Sequence, residues 1–100
     1  MKYIRLKWNH TNPDEPVYIF SEVEDDGKEV RKIECFRNGF CDIADADRRS
    51  GAAALTTLPL PDLKVLTRDP EFKGVEIPKD EFEEVWTSRQ YHPPETEAAP

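Results

Sequence analysis

His10 follows Trp8 by two residues, and Asp14 and Glu15 lie just beyond it. An imidazole with carboxylates in reach is equipment for general acid–base chemistry or for a metal ligand set. With Glu22 drawn in, His10, Asp14, Glu15 and Glu22 would line a pocket beside Trp8. That would make a small-ligand-binding protein or an enzyme. Against it, the chain holds only two histidines, and catalytic or zinc sites draw on several partners. The plainer reading has His10 hydrogen-bonding the Pro13–Pro16 turn or facing solvent, and it is preferred.

Other chemistry is weaker still. Asp42, Asp45 and Asp47 lack the glycine and terminal glutamate of a calcium loop. A solvated strand end is the better reading. No Ser-His-Asp or Cys-His spacing is legible. The four glycines are not clustered, so no loop can cradle a phosphate. No catalytic residue, metal ligand or cofactor is therefore assigned, and an enzyme is the less favoured class.

Charge narrows the partners. The 100 residues carry 14 Lys and Arg against 21 Asp and Glu, a net charge of −7. An acidic chain is a poor general ligand for nucleic acid or anionic membranes. Arg5, Lys7, Arg31, Arg37, Arg48 and Arg49 would have to share one surface to reverse that. The mean hydropathy is −0.77, yet ten aromatic residues are too many for a solvating coil. No signal peptide or membrane span is read, and Cys35 and Cys41 match no zinc or redox spacing. A cytoplasmic protein with reduced thiols is expected.

The elements that must position these groups follow from periodicity. Lys2 to Trp8 alternates apolar and basic residues, a half-buried strand. Asn9 to Pro16 is a proline-rich loop. Val17 to Glu24 and Lys28 to Arg37 are β-branched and aromatic, with Asp25, Asp26 and Gly27 as a tight turn between them. Asn38-Gly39 predicts a two-residue type I′ turn into a strand over Phe40 to Ala44. Asp45 to Thr57 reads as a mobile loop. Short helices are expected over 62–68 and 79–89. Phe82, Val85 and Trp86 form the apolar stripe of the second, and Pro78 stands at its start. Residues 91–100 read as an unstructured tail beyond a single domain over 1–90.

The expected architecture is α+β: a four-stranded antiparallel sheet, the meander 17–44 plus strand 2–8, with one or two helices on one face. A two-residue loop at Asn38-Gly39 sets Cys35 opposite Asp42. Cys35 and Cys41 then point to opposite sides and cannot join. At the other hairpin two registers stay open, Phe20 or Ile19 opposite Ile33. Glu22 beside Arg31 reads as a cross-strand ion pair.

Several segments together resemble a known bacterial family, domain of unknown function 6881. They are Trp8-x-His10, Pro13-Asp14-Glu15-Pro16, Ser21-Glu22, Glu29 to Glu34, Phe36, Asn38-Gly39, Asp69-Pro70-Glu71-Phe72 and Glu81-Phe82-Glu83-x-x-Trp86. The resemblance spans about residues 1–89. It implies a small bacterial single-domain protein and carries no catalytic residues with it.

The function expected from all this is a non-enzymatic protein-binding module. Acidic loop residues Asp14, Glu15, Glu24, Asp25 and Asp26 would attract a basic partner. Tyr18, Phe20 and Phe36 would be the aromatic anchors, core burial being the competing role for them. One concrete form is an immunity-type inhibitor that covers the cleft of a basic toxin.

Overall fold

The computed structural model describes residues 1–93. In chain order the elements are β1 (Lys2–Trp8), β2 (Tyr18–Val23), β3 (Glu29–Cys35), β4 (Cys41–Ala44), α1 (Leu63–Leu66), β5 (Phe72–Ile77) and α2 (Lys79–Ser88). The fold is α+β, with one antiparallel sheet in the order β4-β3-β2-β1-β5. The fifth strand pairs with β1 and adds one strand to the sheet expected from sequence. Gly74 interrupts its alternation, and this hid it. A Cβ at Gly74 would lie 2.7 Å from Leu6 Cδ2 and 2.8 Å from Leu63 Cδ2. The glycine lets α1 close onto the strand.

Alternation divides the sheet into two faces. Tyr3, Phe20, Ile33, Cys35, Cys41, Ile43 and Ile77 share one face with α2, whose Phe82 and Val85 complete the core. Phe82 is fully buried and its ring lies 5.3 Å from Tyr3. Burying each such side chain contributes roughly 1.5–3 kcal/mol. Ile4, Leu6 and Ile19 point the other way, toward Leu60 and Leu66 beside α1. The helices therefore cover opposite faces, which corrects the expectation of one covered face. A sheet with apolar groups on both sides needs cover on both.

The two hairpins of the meander are built alike. In each, a strand residue pairs with the residue four positions on: Glu24 N–H donates to Lys28 O, and Phe36 N–H to Phe40 O. In each, the third loop residue is a glycine with positive φ, +90° at Gly27 and +92° at Gly39. An Asp26 or Asn38 side chain accepts the N–H two residues ahead. These are three-residue loops with a glycine bulge, not the two-residue type I′ turn expected at Asn38-Gly39. Asn38 does not take the positive φ that type I′ requires.

That one extra loop residue has a large consequence. It shifts the register by one and sets Cys35 opposite Cys41, with Glu34 opposite Asp42. The two cysteines now share a face, with Cα atoms 4.1 Å apart, and are joined in a disulfide. The expectation of opposed, reduced thiols is corrected, and the ground it gave for a cytoplasmic location falls with it. No helix among the described residues is long and apolar enough to cross a membrane. At the β2–β3 hairpin Phe20 faces Ile33 and Glu22 faces Arg31, and a bulge follows at Val23.

Two further expectations change. The 45–57 loop is pinned rather than free. Glu29 is buried, accepts Ser21 Oγ–H at 2.7 Å and Thr56 N–H at 2.9 Å, and lies 3.4 Å from Lys32 Nζ. Lys32 Nζ in turn donates to Ala54 O at 2.9 Å, and Ala53 is fully buried. The chain also stays folded past residue 90: the Tyr91 ring packs edge-on against Tyr18 and Phe20. The rest of the expected tail, 94–100, lies outside the described residues.

Candidate functional site

An acidic groove opens at the end of the sheet that carries the β2–β3 hairpin. Glu24, Asp25 and Asp26 form one wall, contributed by the turn itself. The Leu60–Lys64 segment forms the other, entering α1 with Asp62 at its N-cap. Leu60 N–H donates to Gly27 O at 2.8 Å, which stitches the walls together. A Cβ at Gly27 would press into the Leu60 backbone, so glycine is needed for that approach as well as for its φ. Ile4, Val23 and Leu63 supply apolar lining, and Glu76 on β5 adds a fifth carboxylate. The groove encloses about 400 Å³; among the described residues Lys2 and Lys64 are its only lining lysines or arginines, and the Met1 ammonium lies 3.9 Å from Asp25.

Five carboxylates against two lysines leave this concavity negative. Most of the carboxylates sit on loops and strand ends and are exposed. Apolar lining under a negative rim suits the stem and charged head of a lysine or arginine. The groove can therefore hold a cationic side chain or a short basic segment.

The candidate residues from sequence disperse. Glu24, Asp25 and Asp26 meet in the groove. Asp14 and Glu15 belong to the loop before β2, whereas the groove hairpin follows it. The two acidic loops are separated by the six residues of β2, roughly 20 Å. Tyr18 is 4% exposed and Phe20 fully buried. Both lie under α2 and Tyr91, so neither is a surface anchor, and core burial is the role they take. Phe36 stays partly exposed at the far end of the sheet. Asp62, Glu76, Lys2 and Lys64 were not singled out from sequence. Glu76 could not be placed without β5, and Asp62 carried only a helix-start signal.

The four side chains of the alternative pocket do not converge either. His10 Nε2 lies 2.8 Å from Pro16 O, and His10 Nδ1 accepts Asn12 N–H at 3.1 Å. Both ring nitrogens are thus used on the turn, which fixes the Nε2–H tautomer. Glu22 is at the other end of β2, buried with Arg31 and Tyr3. Arg31 donates to it twice, at 2.6 and 2.9 Å, and Tyr3 Oη–H donates at 2.7 Å. Arg31 also contacts Glu83 at 2.6 Å, and its guanidinium lies 4.8 Å from the ring centroids of both Phe82 and Trp86.

This network governs the main shifted ionisations. The Arg31 hydrogen bonds hold the Glu22 carboxyl below its ordinary value, against the opposing effect of burial. Its bond to Glu22 raises Tyr3. Glu34, by contrast, is pushed up by burial first, with Asp42 and Glu15 adding to it. Asp45 is held down by the Asp47 and Arg48 backbone N–H groups. Asp42 accepts Ser50 Oγ–H at 3.0 Å. Among the described residues no three His, Cys, Asp or Glu side chains gather as a metal site.

A family model described as a domain of unknown function, DUF6881, matches residues 2–91. The chain belongs to the DUF6881 family. No curated protein and no solved structure matches it. The match takes in every strand and both helices, so the groove of this DUF6881 chain is built wholly from family sequence.

Proposed function

We propose that this DUF6881 protein is a non-enzymatic protein-binding module that takes a basic segment of its partner into the acidic groove. The observation that carries the reading is the meeting of Glu24, Asp25, Asp26, Asp62 and Glu76 around one apolar-lined concavity. The buried charges support it from the other side. Glu22 and Glu29 are engaged in holding strands and loops, and His10 in holding a turn. An immunity-type inhibitor, laying this end of the sheet over the cleft of a basic toxin, is one form the module would take. Charge attraction would speed such an encounter and make it weaken with salt.

The test is capture of a partner from the native host at low salt, using the wild-type chain and a Glu24→Lys, Asp25→Lys, Asp26→Lys variant. A stoichiometric basic protein held by the wild type and lost by the variant supports the reading. Equal capture by both, or loss only when Asp14 and Glu15 are reversed instead, overturns it.

A further inference from the structure

At the opposite end of the sheet a second cleft reverses the character of the protein. It encloses about 610 Å³, within the range of small-molecule sites. Among the described residues no carboxylate lines it, although the chain as a whole carries −7. Its lining instead includes the cations Lys7 and Arg37 and the rings of Trp8, His10, Tyr18, Phe36, Tyr91 and His92.

Each is placed by the fold. Lys7 and Trp8 close β1, where Trp8 stacks on Phe72 at 5.6 Å and meets His10 at 4.3 Å. Phe36 and Arg37 come from the β3–β4 turn. Arg37 Nη2–H donates to His10 O at 2.6 Å, tying the two walls together. A guanidinium has five N–H donors, and that bond uses one of them. Lys7 makes no ion pair among the described residues. His92 lies over Gly39, where any Cβ would overlap its ring. The positive φ at Gly39 and the space for His92 are thus met by the same residue.

We infer that this cleft binds a small ligand in which a flat heteroaromatic ring carries a phosphate. The ring matches the Trp8 and Phe36 walls, and the phosphate matches the Arg37 fork and the Lys7 ammonium. A free anion would leave the aromatic walls unused, and a neutral ring would leave two cations unpaired. The site is independent of the acidic groove, since the two share no lining residue.

Adenosine monophosphate is the probe that presents both features. The readout is the Trp8 indole N–H signal in a ¹H–¹⁵N NMR titration, with Trp86, packed under Arg31, as the internal reference. A saturable shift of Trp8 alone is expected. Adenosine and inorganic phosphate should each bind at least about tenfold more weakly. Lys7→Glu with Arg37→Glu should weaken the nucleotide by a similar factor while leaving the Trp86 signal in place. No saturation at millimolar nucleotide overturns the inference. So does equal binding by the double variant, and so does phosphate binding as tightly as the nucleotide.

Discussion

Glu22 on β2 and Arg31 on β3 face each other across the sheet and share two hydrogen bonds, under the rings of Phe82 and Trp86. The pair is nearly closed to water, with side-chain exposures of 8% and 17%. Removing Glu22 takes two hydrogen bonds from Arg31 and leaves it Glu83 alone as an acidic partner, a costly way to break a buried pair. Glu22→Gln should lower the unfolding free energy by about 3 kcal/mol in urea titration. Glu22→Met combined with Arg31→Met should recover part of that loss, because no charge is left unpaired between the two strands; Glu83 loses its Arg31 contact but is 41% exposed.

The same pair sets an acid limb. Glu22 has a folded-state pKa below its unfolded value, so its contribution is fully present above the ordinary carboxylate range. It is lost as pH falls through the depressed folded value. Stability should therefore decline from about pH 4 downward. The slope of that decline should be smaller in Glu22→Gln, read from thermal melts across the acid range. Glu34 acts in the opposite sense. Its raised pKa favours the protonated form in the fold, so Glu34→Gln should stabilise near neutral pH.

Cys35 and Cys41 should yield no free thiol when the protein is denatured without reductant and titrated with a thiol reagent. Two titratable thiols would contradict the bonded pair. The bridge closes a short loop, so reduction should cost about 2 kcal/mol in the chain-entropy model and leave the hairpin paired, because its ladder does not depend on the bond.

Gly39→Ala should destabilise by about 1–3 kcal/mol, since the residue holds positive φ. It should also displace His92. Asn38→Ala, which removes one side-chain acceptor for Phe40 N–H, should cost about 1 kcal/mol. A larger penalty for Asn38 than for Gly39 would mean that the turn is of another type.

Much of this fold was legible because the signals were local. Val17 to Ala44 reads as a meander from its β-branched residues and two glycine turns, and Phe82, Val85 and Trp86 announce the helix face. What was hidden depended on distance or on a single residue of register. Gly74 reads as a strand breaker until Leu6 and Leu63 are seen to need its space. Asn38-Gly39 signals a reversal but not the length of the loop, and that one residue decides whether Cys35 and Cys41 meet. The groove was half visible. Glu24, Asp25 and Asp26 are adjacent in sequence, but Asp62 and Glu76 join them only through the closure of α1 and β5. Tyr18 and Phe20 carry no mark in sequence that separates an anchor from a core residue, because the Tyr91 ring that covers them is 73 residues from Tyr18 and opens the stretch, with three prolines, that reads as tail.

The most direct measurement on the binding reading is zero-length carbodiimide cross-linking of the captured partner complex, with the joined carboxylates located by mass spectrometry. The account predicts links from Glu24, Asp25, Asp26, Asp62 or Glu76 to lysines of the partner, suppressed by high salt. Links confined to Asp14, Glu15 or the outer side of α2, with the groove carboxylates untouched, would contradict it.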